Sequence, residues 1–313
     1  VETGMRGAEA MRKVEPDGIV SMGGGSPIDA AKAMWAFYEY PETTFEDLIT
    51  PFSFPELRQK ARFAAIPSTS GTATEVTAFS VITNYQTGVK YPLADFNITP
   101  DVAIVDPDLV MGLPVKQVAY TGMDALTHAI EAYVSTLNGP FTDPLALQAI
   151  EMVLEYLPAS YNGNTHAREE MHYAQCLAGM AFSNALLGIV HSMAHQMGAI
   201  FGIPHGRANA LALPNVMRYN AKATDRFDDL AKLMGLSSAC EFIKAVENLK
   251  KDIHVPASIK EYGIAREDWM KEVHRMAENA HLDVCTSFNP RPATVEDLEK
   301  LYIALYEGES VDF

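Results

Sequence analysis

Residues 18–32 read GIVSMGGGSPIDAAK, and this stretch decides the fold. Its apolar beginning predicts a short strand over residues 18–22, and Pro27 stands near the first turn of a helix predicted over residues 27–39. Three glycines join the two elements and turn the chain. Strands that alternate with helices are typical of a mainly parallel sheet, so the stretch predicts an α/β domain.

The same alternation continues on both sides of this stretch. The pattern predicts a helix over residues 5–14 and buried strands over residues 62–67 and 102–105. It also predicts an antiparallel strand over residues 77–82 that leads to a turn at residues 86–88.

Beyond about residue 113 the periodicity is almost entirely helical. Helices are predicted over residues 117–135, 143–157, 167–186, 187–201, 206–217 and 294–307. We therefore predict an α/β domain over residues 1–112 and an all-helical domain over residues 113–313. Ligands often bind between two such domains, so we expect a cleft there.

Composition excludes several classes of function. The chain has 313 residues, and 24 Lys and Arg against 40 Asp and Glu give a formal net charge of −16. Such a charge repels phosphate backbones and anionic lipid, so we expect no nucleic-acid partner and no membrane partner. We also expect no signal peptide and no transmembrane helix. Three widely spaced cysteines fit a reducing cytoplasm better than a disulfide framework.

The glycine run has the features of a phosphate-binding loop. Glycines let the backbone approach a ligand closely, and the following helix offers free N–H groups at its positive end. The spacing differs from the G-x-G-x-x-G pattern. The alternative is a tight turn that binds nothing. A second polar loop, residues 67–75 (PSTSGTATE), follows another predicted strand. It offers hydroxyl groups to the same ligand, or it merely caps a helix.

Histidines in apolar helical segments indicate a metal site. Asp124 and His128 are four residues apart on one predicted helix, and His191 and His195 repeat this spacing. His205 follows. Such groups are costly to bury without a partner, and one carboxylate with three imidazoles suits Fe²⁺ or Zn²⁺. The alternative is a set of hydrogen-bonded core histidines.

Two questions stay open from spacing alone. Either His191 or His195 completes the ligand set, which leaves the other for acid–base or positioning work. Glu131 is either a hydrogen-bond partner of a ligand or a surface acid. Five further histidines lie in polar surroundings and are expected at the surface: His166, His172, His254, His274 and His281.

Taken together, these motifs resemble the iron-dependent (group III) alcohol dehydrogenase family. The matching segments are residues 23–32 (GGGSPIDAAK), 67–75 (PSTSGTATE), 122–131 (GMDALTHAIE), 191–195 (HSMAH), 204–206 (PHG) and 285–291 (CTSFNPR). The resemblance implies a Rossmann-like dinucleotide-binding α/β domain, with its beginning absent from this sequence, followed by an all-α metal-binding domain. It also implies hydride transfer between NADP, or alternatively NAD, and a short-chain primary alcohol or aldehyde such as butanol or butanal. A homo-oligomer is expected.

The resemblance also assigns residues. The implied metal ligands are Asp124, His128, His191 and His205, for Fe²⁺ or alternatively Zn²⁺, and His195 is the implied catalytic histidine near the nicotinamide. The implied cofactor-binding residues are Gly24, Gly25, Ser26, Asp29, Ser68, Thr69, Thr72 and Lys90. Phe182 and Cys285 are the implied substrate-pocket residues. One departure concerns the pocket, because Ser287 and the bulky Phe288 stand where a glycine and a small residue are expected.

Two other functions compete with this interpretation. A metal- and NAD-dependent cyclase similar to dehydroquinate synthase has a related scaffold, but its sugar-phosphate substrate needs basic residues. Apart from Arg207, the metal-binding segments have few of these. The other competitor is an inactive remnant that folds without turnover.

Overall fold

The computed structural model describes residues 1–84 and 89–313, and the side chains of residues 1–84 and 91–313. The N-terminal part has the helices α1 (Glu2–Val14), α2 (Gly25–Glu39) and α3 (Phe45–Leu48). Its strands are β1 (Gly18–Gly23), β2 (Arg62–Pro67), β3 (Phe79–Asn84), β4 (Val89–Ala94) and β5 (Val102–Ala103).

The described strands form two sheets. Strands β1, β2 and β5 are parallel in the order β1-β2-β5, with Gly18 opposite Arg62 at the start of the first pair. Strands β3 and β4 form an antiparallel pair. The parallel sheet and the antiparallel strand were both expected from the sequence. The turn predicted at residues 86–88 lies outside the described residues.

One predicted strand is shorter than expected. The sequence suggests a strand over residues 102–105, but β5 contains only Val102 and Ala103. Pro107 begins a 3₁₀ helix two residues after the predicted end, and Asp106 caps this helix by accepting a hydrogen bond from the Asp108 N–H at 3.0 Å. After β5 the Ile104 N–H still donates to the Ala65 carbonyl at 2.9 Å, and the chain then enters this 3₁₀ helix.

The remainder of the described chain contains no strand, in agreement with the predicted helical half. Its helices are α4 (Val115–Val134), α5 (Asp143–Tyr161), α6 (Thr165–Ala185), α7 (Ile189–Phe201), α8 (His205–Ala221), α9 (Arg226–Leu233), α10 (Ala239–Asp252), α11 (Ile259–Tyr262), α12 (Arg266–Leu282) and α13 (Val295–Glu307).

Each part has its own hydrophobic core. In the α/β part, Trp35 of α2 stacks on Phe63 of β2 with ring centroids 5.4 Å apart. In the helical part, Trp269 packs against Phe201 and Tyr302, and the core extends through α4 and α8. The α/β part and the helical part therefore each pack around their own core, and a cleft can form where the two parts meet.

Helix α6 fastens the loop after β2 to the helical bundle. Gln175 donates a hydrogen bond to Glu75 at 2.6 Å, and the Ser183 hydroxyl accepts one from the Ala78 N–H at 3.0 Å. On the other side of this loop, the buried ammonium of Lys32 donates to the carbonyls of Thr77 and Phe79 at 2.7 and 2.8 Å. The loop is therefore held between α2 and α6.

No single helix of the described chain is both long enough and apolar enough to cross a membrane. The helices Thr165–Ala185 and Ile189–Phe201 meet the length and composition criteria only as a pair, and the pair is bent by 105° at its break.

The packing of α6 against the loop provides a test of the fold. A Cβ added at Gly179 would overlap the Cβ of Ala73 and lie 2.8 Å from Cγ2 of Val76. Gly179→Ala should therefore lower the free energy of unfolding by about 1–3 kcal/mol, although the same change in an exposed helix raises it by about 1 kcal/mol. Gly139→Ala is the control, since a Cβ there has nothing within 4 Å. Denaturant unfolding followed by circular dichroism measures both; a Gly179→Ala protein as stable as the control would contradict the packing.

Candidate active site

Three helices bring together four side chains that could hold a metal ion. Asp124 and His128 lie one turn apart on α4, His191 lies in the first turn of α7, and His205 is the first residue of α8. One ligand atom from each lies within 4.8 Å of those of the other three. The first three residues are buried and His205 is half-buried. The i and i+4 spacing on α4 explains why its two donors share one face.

Hydrogen bonds fix the orientation of two of the imidazoles. His128 has its Nδ1 3.1 Å from the carbonyl oxygen of Gly71, and its ring stacks on Phe182 with centroids 4.3 Å apart. A carbonyl oxygen only accepts, so Nδ1 of His128 carries the proton. His191 has its Nδ1 2.6 Å from Oε2 of Glu131. In both rings, Nε2 is the nitrogen left to bind an ion.

Glu131 is a buried hydrogen-bond partner of His191 and not a surface acid. Its side chain is 2% exposed, and its Oε1 accepts a hydrogen bond from the Val190 N–H at 2.7 Å. Carboxylates in this place commonly fix the tautomer and orientation of metal-binding histidines. The structure therefore decides the question that the sequence left open.

Burial sets the charge of these groups. Loss of solvation lowers the pKa of His128 and lowers the pKa of His191 well below its ordinary value. It also raises the pKa of Glu131, an effect opposed by backbone N–H groups such as that of Val190, which stabilise the carboxylate. Both imidazoles are accordingly neutral at neutral pH, which leaves their Nε2 lone pairs available to a cation.

Asn209 contacts three of the four donors, and its role could not be identified from the sequence. Its Nδ2 donates to Oδ1 of Asp124 at 2.7 Å and lies 3.1 Å from Nε2 of His191 and 3.2 Å from Nε2 of His205. The available signal was its position four residues after His205, on the same face of α8. One amide nitrogen has two hydrogens and cannot satisfy three acceptors.

The donor set fits a divalent transition-metal ion. One carboxylate and three imidazoles converge in a buried place, and the amide of Asn209 supplies too few hydrogens for them. Buried acceptors that lack donors are costly, and a cation resolves this cost. Borderline ions such as Fe²⁺ and Zn²⁺ accept this mixture of nitrogen and oxygen ligands.

His195 lies beside the four donors but outside their set. Its Nδ1 is 2.8 Å from Oδ2 of Asp283, and its ring is nearly parallel to that of His205, with an angle of 13° and centroids 5.6 Å apart. The pair of histidines that spacing could not distinguish is thus separated: Glu131 holds His191 and Asp283 holds His195.

A cleft of about 1470 Å³, including its open mouth, joins the donor set to the glycine loop. The predicted residues that line it are Gly25, Ser26, Asp29, Thr72, Phe182 and Cys285, together with the four donors and His195. Gly24, Ser68 and Thr69 do not line it. A Cβ at Gly24 would lie 3.1 Å from Cγ2 of Thr69, and the Ser68 N–H donates to Gly23 at 2.8 Å. These three residues join the two loops to each other. The side chain of Lys90 lies outside the described residues.

The carboxylate of Asp29 is engaged within the protein. It accepts hydrogen bonds from the Thr74 hydroxyl at 2.6 Å and from the Val81 N–H at 3.1 Å. Burial raises its pKa, opposed by the nearby charge of Lys32. Asp29 therefore ties helix α2 to the second loop and to strand β3 while it lines the cleft.

The far wall of the cleft is apolar. Leu186 and Leu187 precede α7, and Val284, Cys285 and Phe288 come from a 3₁₀ helix, Val284–Phe288, that follows α12. Burial raises the pKa of the Cys285 thiol well above its ordinary value, so this side chain is a neutral thiol. The wall suits the carbon chain of a ligand.

One of the five histidines expected at the surface is buried. His172 is 0% exposed and its Nδ1 lies 3.0 Å from the hydroxyl of Ser70. His172 lies on the face of α6 that packs against the second loop, and the polar Arg168 and Gln175, one turn away on either side, are buried on this face with it. His166, His254, His274 and His281 are exposed, as expected.

The bond between Glu131 and His191 gives a test of the metal centre. Glu131→Gln replaces an acceptor by an amide and should loosen the orientation of His191. We expect metal affinity to fall about 10- to 100-fold. Fe²⁺ or Zn²⁺ content after dialysis against graded chelator measures this. Glu151→Gln, at an exposed position on α5, is the matched control. Equal metal retention in the two variants would show that Glu131 does not support the ligand.

Comparison with known proteins places the chain in a family. Residues 1–107 match the model of iron-containing alcohol dehydrogenases, and residues 118–306 match the C-terminal model of the same family. An NADPH-dependent butanol dehydrogenase of Clostridium saccharobutylicum is 59% identical over 320 residues, covering 100% of this chain and 82% of that protein. The bifunctional aldehyde-alcohol dehydrogenase of Escherichia coli is 44% identical over 338 residues. This alignment covers 97% of this chain and 38% of the larger protein.

Solved structures give the same result. The iron-containing alcohol dehydrogenase of Thermococcus thioreducens superimposes with a TM-score of 0.92 at 38% identity, covering 99% of this chain and 82% of that one. A 1,3-propanediol oxidoreductase superimposes with a TM-score of 0.90 at 37% identity, covering 97% and 80%. Matches to both family models over most of its length show that the chain belongs to the iron-containing alcohol dehydrogenase family.

Proposed function

We propose that this protein is an alcohol dehydrogenase that transfers a hydride between a nicotinamide dinucleotide and a short-chain primary alcohol or aldehyde, such as butanol or butanal. One observation carries the proposal: the four metal-binding side chains and the glycine loop line the same cleft. Hydride transfer needs the carbon and the nicotinamide to be close, and a shared cleft meets this requirement.

The proposed ligands of the ion are Asp124, His128, His191 and His205, with Fe²⁺ as the proposed metal and Zn²⁺ as the alternative. When bound, such an ion supplies a Lewis acid for the oxygen of the alcohol or aldehyde, and the dinucleotide supplies or takes the hydride. The chain contributes neutral imidazoles, a carboxylate that complements the positive charge, and the shell of Glu131 and Asn209 that orients them.

The proposed dinucleotide site consists of the glycine loop and the second polar loop. Gly25 and Ser26 lie at the start of α2, where unpaired backbone N–H groups favour a diphosphate. We propose Thr72 as a further direct contact, because it lines the cleft. Gly24, Ser68, Thr69 and Asp29 are proposed to shape the two loops, and Lys90 remains a proposed contact. The dinucleotide would occupy the 1–112 domain and the metal the 113–313 domain.

The proposed substrate pocket is the apolar wall of the cleft. Phe182 lies against His128, and Cys285 and Phe288 lie opposite on the 3₁₀ helix. These side chains exclude water from the carbon chain of the substrate and leave its oxygen near the imidazoles. His195 is the proposed catalytic histidine, since it lines the cleft beside His205 without being one of the four donors.

Cofactor choice and substrate follow from the relatives. The Clostridium saccharobutylicum protein is named an NADPH-dependent butanol dehydrogenase, which supports NADP and butanol for this chain. A cytoplasmic location is proposed because its three cysteines are free. A homo-oligomer is also proposed. The cyclase alternative is not favoured, because the relatives named above are alcohol dehydrogenases and oxidoreductases.

The proposed function is tested by aldehyde-dependent oxidation of NADPH. The protein is loaded anaerobically with Fe²⁺ and mixed with butanal and either NADPH or NADH. We expect NADPH to be consumed faster, and chelation of the metal to stop the reaction. His205→Ala should lose both bound metal and turnover, because three donors remain where four are needed.

His166→Ala is the control for this variant, since His166 is exposed and does not line the cleft. No NADPH or NADH oxidation by the metal-loaded protein would count for the inactive alternative. A His205→Ala protein that keeps its metal and its rate would contradict the ligand assignment.

Phe288 gives a second test, of substrate range. Phe288→Ala enlarges the pocket and removes apolar contacts. We expect kcat/KM for butanal to fall by about 10-fold and the ratio of benzaldehyde to butanal kcat/KM to rise by a similar factor. Phe141→Ala is the control, because Phe141 is 89% exposed. An unchanged ratio in Phe288→Ala would mean that Phe288 does not limit the pocket.

A further inference from the structure

Asp283 occupies a junction between the cleft wall and His195. It follows α12 and caps the 3₁₀ helix Val284–Phe288, with Oδ1 accepting a hydrogen bond from the Cys285 N–H at 2.9 Å. Its other oxygen, Oδ2, lies 2.8 Å from Nδ1 of His195. The side chain of Asp283 is 9% exposed and that of His195 is 18% exposed. One carboxylate thus serves a backbone cap and an imidazole at once.

The surrounding structure holds this carboxylate in place. The Thr286 hydroxyl lies 2.6 Å from the Ala280 carbonyl on α12 and 2.8 Å from the Ser192 hydroxyl on α7. The Tyr302 hydroxyl donates to the Met193 carbonyl, also on α7, at 3.1 Å. The 3₁₀ helix is therefore attached both to the helix that precedes it and to the helix that carries His195. Such attachments fix the distance between the two side chains.

The contact determines which nitrogen of His195 carries the proton. Burial alone would raise the pKa of Asp283, but the hydrogen bonds from His195 and Cys285 hold this pKa below its ordinary value. An ionised carboxylate only accepts hydrogen bonds, so Nδ1 of His195 must donate. The neutral ring then has its lone pair on Nε2. His191, His205 and Asp283 are the titratable groups whose contacts with this ring the structure gives.

We propose that Asp283 is a positioning residue that holds His195 in the Nδ1–H tautomer and presents Nε2 to the cleft as a hydrogen-bond acceptor. This proposal rests on the proposed function, because it assigns Nε2 to the substrate hydroxyl. The 3₁₀ helix that Asp283 caps carries Cys285 and Phe288 of the apolar wall. The same segment of the chain therefore forms part of the proposed substrate pocket and sets the tautomer of His195.

Asp283→Asn is the variant that tests this role. Asn is as good a cap as Asp, so the bond to Cys285 and the fold should persist. Its amide can donate to Nδ1 of His195 and stabilise the wrong tautomer. We expect kcat for butanal reduction to fall about 10²-fold, while KM for butanal and NADPH and the metal content change less than about threefold.

Asp106→Asn is the matched control. Asp106 caps the 3₁₀ helix Pro107–Val110 in the same way, with its Oδ1 accepting from the Asp108 N–H. Its kcat should equal that of the unsubstituted protein. If Asp283→Asn behaves like Asp106→Asn, the inference is overturned.

A double-variant cycle separates positioning from general damage. His195→Gln removes the imidazole, and a residue that acts only through it then has nothing to position. We expect Asp283→Asn to lower kcat no further in the His195→Gln background. A further loss of the same size in both backgrounds would assign Asp283 a structural role and overturn the proposal.

The tautomer has its own readout, which needs no activity. Nitrogen-15 NMR of protein labelled at histidine, with His195 assigned by its loss in His195→Gln, distinguishes protonated from unprotonated ring nitrogens. The expected result is a protonated Nδ1 in the unsubstituted protein and a shift toward protonated Nε2 in Asp283→Asn. An Nε2–H tautomer in the unsubstituted protein would overturn the inference. If butanal and NADPH do not react at all, the proposed function fails while this readout still decides the tautomer.

Discussion

Four acceptor side chains converge on one site, and many contacts of the surrounding structure stabilise this arrangement. Asp124, His128, His191 and His205 come from three helices, and their ligand atoms lie within 4.8 Å of one another. Without a cation, the lone pairs of the buried Asp124, His128 and His191 would face one another away from bulk water, at a cost of about several kcal/mol. The carbonyl of Gly71 and the carboxylate of Glu131 turn the imidazoles inward, and Asn209 bridges the donors. Metal binding and folding are therefore coupled.

The glycine loop and the second polar loop connect to this centre through the protein interior. Gly71, whose carbonyl accepts from His128, belongs to the second polar loop, in which Thr74 donates to Asp29 and Glu75 accepts from Gln175 of α6. Lys32 donates to the carbonyl of Thr77, two residues beyond this loop. Lys32 is fully buried, and desolvation lowers its pKa to about 8. These bonds connect the part of the cleft lined by the glycine loop to the part lined by His128.

Much of this could be predicted from the sequence, and particular residues show why the remainder could not. The i and i+4 spacing of Asp124 and His128 and the glycine run after β1 are local signals, so the helices, the parallel strands and the ligand candidates followed from them. The hydrogen-bond partners of His191 and His195 could not be predicted from the sequence, because Glu131 and Asp283 lie 60 and 88 residues away along the chain. His172 was predicted at the surface because its sequence neighbours are polar, but it lies on the face of α6 that packs against the second polar loop. Asn209 gave only a weak signal.

The central claim is that these four side chains, and not His195, bind the metal. Anomalous diffraction at the iron edge, from crystals of the Fe²⁺-loaded protein, tests it directly. The account predicts one strong peak about 2.0–2.2 Å from an oxygen of Asp124 and from one nitrogen each of His128, His191 and His205. A peak bonded to His195 in place of any of these, or no peak among them, would contradict the account.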